Sequence, residues 1–325
     1  MKVLIIGGAG MIGRKTAERI AADGHLGGKP VSAMTLYDVV PASVPAGAKM
    51  PVKVLSGDLP AAGEAEKLVA DKPDVIFHLA AIVSGEAEQD FEKGYRINLD
   101  GTRGLLEAVR AAGHRPRVVF SSSVAVFGAP FDPNGIDDEF LSAPLTSYGT
   151  QKAIGELLVS DYSRKGFLEG ISIRLPTICV RPGKPNKAAS GFFSNIMREP
   201  LAGHEAVLPV SDSVRHWHAS PRAAVGFMQH AATMDLAQVG PRRALNMPGL
   251  SVTVAEQIEA LRKVAGEKVV SRIRREFDPF IDKIVAGWPA RFSAKRASAL
   301  GFKADASFEE IIRIHIEDEL GGKIA

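Results

Sequence analysis

Lys2-Val-Leu-Ile-Ile-Gly7-Gly-Ala-Gly10-Met-Ile-Gly13 decides the fold. A short apolar run gives way to glycines spaced three apart, and Ile12, Thr16 and Ile20 then recur at helical intervals. Each glycine answers a different demand. One makes the tight turn, one lets a pyrophosphate approach the backbone, and one lets the helix pack closely on the strand. The unpaired N–H groups of a helix start then favour an anion. Gly24 is placed to end that helix. A strand, a glycine turn and a helix in this order predict a parallel α/β sheet carrying a dinucleotide, with Gly7, Gly10, Met11, Ile12 and Gly13 against it.

The pattern continues outward. Lys2–Ile6, Ala33–Tyr37, Val52–Leu55, Val75–Leu79, Arg117–Ser121 and Ile171–Leu175 read as strands, several of them apolar throughout, as when helices cover both faces of a sheet. Helical patterns lie between them at 11–22, 61–71, 88–112 and 147–166. The prediction is a Rossmann-type doubly wound parallel sheet. After Leu175 the texture changes: Pro176, Pro182, Gly183 and Pro185 mark a loop leaving the sheet. Ser220-Pro221 reads as a helix start, and Thr253…Glu256 and Ser307…Glu310 as capping boxes. Residues 1–175 are therefore expected to form the nucleotide domain, with 207–247 partly returning to it. Residues 176–206 and 248–325 are expected to form a smaller mixed α/β substrate-binding cap.

Bulk properties exclude several classes. Of 325 residues, 46% are hydrophobic and 24% charged, which suits a globular protein, and the net charge of +3 comes without a Lys/Arg run that would argue for nucleic acid. No apolar stretch approaches the ~18 residues of a membrane span. The N-terminal run is broken at Gly7, too early for a signal sequence. A soluble cytoplasmic protein is expected. Cys179 is the single cysteine, so no intrachain disulfide forms, and its neighbours Ile178 and Val180 predict a buried, inert thiol.

Asp38 ends the second strand, where a carboxylate accepts both ribose hydroxyls of an adenosine and repels a 2′-phosphate. With no arginine directly after it, NAD is expected over NADP. Asp58, in Ser-Gly-Asp58-Leu59, is placed to meet the adenine amino group. Tyr148 and Lys152 stand four apart in a helical stretch and so share a face. A phenol titrates near about 10, and a close ammonium in a dry cleft favours its phenolate, which makes the pair a candidate acid–base couple. Ser121-Ser122-Ser123 closes the fifth strand, where open α/β sheets place their ligands.

Gly-Gly-Ala-Gly-Met-Ile-Gly, Phe77-His-Leu-Ala-Ala81, Asn98-Leu-Asp-Gly-Thr102, Phe120-Ser-Ser-Ser-Val-Ala-Val-Phe-Gly128 and Tyr148-Gly-Thr-Gln-Lys152 occur in that order. Together they resemble the extended short-chain dehydrogenases, the group of nucleotide-sugar epimerases, dehydratases and related NAD-dependent dehydrogenases. The resemblance runs to Ala299-Leu-Gly-Phe-Lys-Ala304. It implies Ser123, Tyr148 and Lys152 as the catalytic set, with Ser123 and Tyr148 on the substrate. It also implies Leu79, Ala80, Ala81, Asn98 and Pro176, with Leu59, along the NAD. His78 reads as structural. Homodimers are common in that family, and the resemblance leaves a homodimer open here.

Two departures bear on the substrate. Thr177 stands where sugar-nucleotide enzymes of the family carry a diphosphate-binding asparagine, and Arg215-His-Trp-His-Ala-Ser220 lacks the acids of their later motif. The segments 190–200 and 214–223 look like the D-erythronate 2-dehydrogenase branch, which implies oxidation of a small 2-hydroxy sugar acid to its 2-oxo acid. Asn195, Arg198 and Arg215 are the candidate ligands for its carboxylate and hydroxyls. A nucleotide-sugar epimerase or dehydratase is the alternative. His216 and His218, without nearby carboxylates, make a poor metal site, and no metal is expected.

Overall fold

The computed structural model describes residues 1–132, 135–183 and 190–325; Pro185 lies outside them. Seven strands build one sheet: β1 (Lys2–Ile6), β2 (Ala33–Asp38), β3 (Val52–Ser56), β4 (Val75–His78), β5 (Arg117–Ser123), β6 (Glu169–Leu175) and β7 (Ala244–Asn246). Their order across the sheet is β7-β6-β5-β4-β1-β2-β3, with every neighbouring pair parallel. The chain winds one way from β1 to β3 and then crosses back to β4. That reversal opens a crevice beyond the carboxyl ends of the strands. The six sequence-predicted strands are all present. β7 is too short to carry a period of its own, and is added by pairing with β6.

Alternation along β1 explains the layers. Val3 and Ile5 join one apolar core and Leu4 and Ile6 the other, because successive side chains leave a strand on opposite faces. Helices α1 (Met11–Asp23) and Pro221–Thr233 cover the first face; Gly101–Ala112 and α2 (Ser147–Arg164) cover the second. Each fully buried aliphatic side chain contributes roughly 1.5–3 kcal/mol.

The single helix expected at 88–112 is divided. Asp90 leaves helical geometry at φ −123°, ψ 86°, and its side chain accepts the Lys93 N–H to start the next turn. A π-helical turn, Tyr95–Asp100, then leads into Gly101–Ala112. Such turns often occur at functional sites.

A second core gathers Phe193, Ile196, Leu261, Ile311 and Ile312. Beside it, Thr177–Ile178, Arg215–Ala219 and Leu250–Thr253 form a three-stranded sheet. Ser220 caps its helix by accepting the Ala223 N–H, and the Thr253/Glu256 capping box is complete. The box expected at Ser307 is half formed. Ser307 accepts the Glu310 N–H, but the Glu310 carboxylate takes Ala306 N–H instead. Ala297 and Phe302, assigned to the cap from sequence, pack into the sheet-side core with Phe227. Among the described residues no helix is long and apolar enough to cross a membrane.

Candidate active site

Two cavities, of about 510 and 360 Å³, lie over the carboxyl ends of the strands and share Leu79 and Ala81 in their walls. Gly7, Gly10, Asp38, Asp58, Leu59 and Ala80 line the smaller one. Met11, Ile12, Ser123, Tyr148, Lys152 and Pro176 line the larger. Gly7 has φ +91°, and a Cβ there would sit 2.6 Å from the backbone nitrogen of Ala80. Gly13 lines neither cavity. A Cβ on it would stand 2.0 Å from the Gly7 carbonyl oxygen, so its role is the close seating of α1 on β1.

Asp38 Oδ2 accepts the Ala9 N–H at 3.0 Å and Oδ1 the Val39 N–H at 2.7 Å. These bonds aim the carboxylate while leaving lone pairs for two ribose hydroxyls. Asp58 reaches the same cavity, but Arg96 already holds its Oδ2 at 2.6 Å. Asn98 lines neither cavity, contrary to expectation. Its Oδ1 accepts the Ile82 N–H, while Nδ2 donates to the Ile82 carbonyl and to Gln151 Oε1 at 2.7 Å. The π-helical turn thus makes Asn98 a brace for the 80–82 segment. His78 bonds Thr102 Oγ1 at 2.8 Å, and burial pushes it down to about 3, which suits a structural residue. A glycine cradle at one end, a fixed carboxylate beside it and a trough of two cavities that share a wall, the second reaching Tyr148, fit an extended dinucleotide.

Thr146 accepts the Gly149 N–H and starts α2, which puts Tyr148 and Lys152 on one face. Lys152 Nζ donates to the Ser121 carbonyl at 2.8 Å and lies 5.7 Å from the Tyr148 ring centre. Of the three serines, Ser121 donates to the His78 carbonyl and Ser122 to Glu156 Oε1 at 2.5 Å. Arg174 grips the same Glu156 carboxylate at 2.9 and 2.8 Å. That leaves Ser123, whose Oγ accepts the Ala125 N–H at 3.1 Å and whose hydroxyl acts on the Tyr148 phenol, favouring its ionised form.

Burial pushes Tyr148 up to about 12, against the opposing pull of Arg181 and of the Ser123 bond. The expected lowering by Lys152 is therefore not found. Burial also takes Lys152 down to about 7, with Glu156 pulling the other way. A dry site raises the cost of charge on both groups, and the nearby cation acting on Tyr148 is Arg181.

At the substrate end, Asn195 and Arg198 line the larger cavity and Arg215 does not. Arg215 Nη1 donates to the Ser251 carbonyl at 2.6 Å, and Nη2 pairs with Glu256 at 3.2 Å. The strand period decides this. Arg215 and His216 point to opposite faces, and the one in the cavity wall is His216.

The sequence reading missed Arg181, in the loop after Thr177–Ile178. Its Nε donates to the Ile178 carbonyl at 3.0 Å, and Nη2 to Ser190 Oγ at 3.2 Å. Among the described residues no carboxylate pairs with it, although it is half-buried and lines the cavity. Local sequence gave no sign of this, since a single arginine in a Pro/Gly-rich loop reads as solvated.

His216 Nε2 bonds Thr177 Oγ1 at 2.7 Å, and His218 Nε2 faces Gln257 Nε2 at 3.0 Å. No group of metal-ligating residues occurs among the described residues. Cys179 is buried, with Sγ against the Phe193 carbonyl, and burial pushes its thiol up to about 12.

Residues 3–221 match the NAD dependent epimerase/dehydratase family. The chain belongs to that family. The family's cofactor is NAD, and the trough described above accommodates it. Among its relatives, the D-erythronate dehydrogenase of Cupriavidus necator is 50% identical over 322 residues, 98% of each chain. The D-erythronate dehydrogenase of Haemophilus influenzae is 44% identical, over 98% of this chain and 100% of its own. The crystal structure of the nucleoside-diphosphate-sugar epimerase from Agrobacterium tumefaciens superposes with a TM-score of 0.97 at 66% identity. It covers 100% of this chain and 96% of that one.

Proposed function

We propose that the protein is an NAD-dependent dehydrogenase that oxidises the 2-hydroxyl of a small sugar acid, D-erythronate or a near relative, to the 2-oxo acid. One observation carries the reading: Arg181, a half-buried cation without a carboxylate partner among the described residues, shares a cavity wall with Tyr148 and acts on it electrostatically. A carboxylate leaving water needs an ionic partner, since burying it unpaired costs several kcal/mol. A guanidinium meets that need with its planar fork of donors. In a 2-hydroxy acid the anion sits one carbon from the reacting hydroxyl, so one substrate answers both Arg181 and Tyr148. The D-erythronate dehydrogenases at 50% and 44% identity support the same substrate class.

Ser123 and Tyr148 receive the substrate hydroxyl, and Tyr148 Oη takes its proton as it gives up its own towards Lys152. Lys152, anchored on the Ser121 carbonyl and taken by burial down to about 7, is the neutral amine that receives the proton leaving the phenol. Arg181 and Asn195 hold the carboxylate end. NAD, when bound, supplies the hydride acceptor. In this reading residues 1–175, with part of 207–247, hold the cofactor, and 176–206 with 248–325, joined by His216, the acid. We place the enzyme in the cytoplasm, where NAD is available.

A nucleoside-diphosphate-sugar epimerase, the description of the Agrobacterium structure, is the rival reading. Against it, Thr177 stands where the sugar-nucleotide enzymes carry their diphosphate-binding asparagine, and the relatives at 50% and 44% identity over nearly the whole chain are D-erythronate dehydrogenases. Purified protein with NAD and a panel of four- to six-carbon aldonic acids tests the choice by NADH absorbance. NADH is expected with D-erythronate. Inertness to every acid, with epimerisation of a sugar nucleotide, overturns the proposal.

A further inference from the structure

Thr177 and His216 stand together in the wall of the larger cavity, which Ser123 and Tyr148 also line. They come from paired neighbouring strands: Thr177 is opposite His218, and Arg215–Ala219 carries His216. The His216 ring is fixed by its packing. It stacks on Phe193 with 5.2 Å between centroids and 5° between planes, and lies 5.3 Å from the Trp288 ring. Its Nε2 is thereby held against Thr177 Oγ1 at 2.7 Å.

A threonine hydroxyl has one donor and two acceptor positions. The bond to His216 uses one of them, and Thr177 Oγ1 makes no other side-chain bond among the described residues. If Nε2 accepts, Thr177 keeps lone pairs for the cavity; if Nε2 donates, it keeps its own proton. An alcohol complements either state, because it both donates and accepts. Burial holds His216 down at about 4, so the imidazole stays neutral near pH 7 and offers no charge to an ionic group. The ionic end of the substrate belongs instead to Arg181.

We infer that Thr177 and His216 form a hydroxyl-reading subsite that recognises the polyol tail of the substrate, beyond the carbon that is oxidised. The inference rests on the sugar-acid reading above and names the residues that set its specificity. A site built to bond a hydroxyl discriminates strongly against an analogue lacking it, because the buried polar group is left unpaired.

The test compares D-erythronate with its 3-deoxy and 4-deoxy analogues, using wild type, Thr177→Val, Thr177→Ser and His216→Phe, each checked by thermal melting. In the wild type, kcat/KM is expected to fall at least tenfold for one of the analogues. Thr177→Val and His216→Phe should lower kcat/KM for D-erythronate by a similar factor and leave that analogue unchanged. Thr177→Ser, which keeps the hydroxyl, should restore discrimination and guards against a folding effect in the other two. Equal use of all three acids by the wild type overturns the inference, as does an equal loss on all three in Thr177→Val. A wild type inert towards all three acids is a different failure, and overturns the sugar-acid reading itself.

Discussion

Arg198 Nη1 donates to the backbone carbonyl of Arg181 at 2.8 Å, so one arginine fixes the main chain of the other. The remaining Arg198 donors are also engaged: Nη2 holds Asn195 Oδ1 at 2.7 Å and Nε meets Glu199 at 2.8 Å. Arg198 therefore positions, and Arg181 supplies the charge that the cavity presents. With its Oδ1 taken, Asn195 offers its amide nitrogen as a donor.

This division separates three arginines by their effect on the substrate. Arg181→Ala is expected to raise KM for the acid by about thirtyfold or more, since losing a desolvated charge partner costs about 2–5 kcal/mol. Arg198→Ala should act in the same direction but less. Arg215→Ala should leave KM within about threefold of wild type, because Ser251 and Glu256 already occupy its guanidinium. Steady-state kinetics, with NAD affinity measured in parallel, checks all three; a large KM effect from Arg215 contradicts the geometry.

Tyr148→Phe should keep NAD binding and lower kcat by about a hundredfold or more, the range of a positioned acid–base group. The pH profile is more specific. With Tyr148 at about 12 and Lys152 at about 7, the pair loses its first proton near pH 7, chiefly from Lys152. Rate of oxidation should therefore rise through about pH 7 and level above it. Lys152→Met should remove that limb. An unchanged profile in the variant rules out Lys152 as its source.

Asp38→Ala should weaken NAD binding by about 1–3 kcal/mol through lost charged hydrogen bonds. It should also narrow the gap between NAD and NADP, because the carboxylate that repels a 2′-phosphate is gone. Fluorescence titration with both cofactors measures this, and a wild type that binds NADP as tightly as NAD refutes the role.

Buried histidines set the acid stability. His78, His216 and His315 are held by burial at about 3, 4 and 4, and His218 well below its ordinary value. Below about pH 6.5 the unfolded chain binds protons on these residues while the folded one does not, so stability falls as pH drops from about 6.5 towards 4. Each contributes up to about 1.4 kcal/mol per pH unit. Urea unfolding from pH 7 to 5 should show this decline, and a flat response means that these rings are protonated in the native state.

Sequence by itself determined what depends on local pattern. The glycine turn at Gly7–Gly13, the buried strands and the Tyr148/Lys152 spacing each follow from a period of two or 3.6 or from backbone sterics, so neighbouring residues suffice to specify them. Tertiary structure decided what depends on facing and partners. Whether a guanidinium is spent or available is set by groups distant in sequence: Ser251 and Glu256 take Arg215, while Arg181, in an unpatterned loop, is turned into the cavity beside Tyr148. The same holds for Asn98, drawn by the π-helical turn onto Ile82 and Gln151, and for the ionisation of Tyr148 and Lys152. Burial governs that ionisation, and burial is a property of the packed chain that no spacing between residues records.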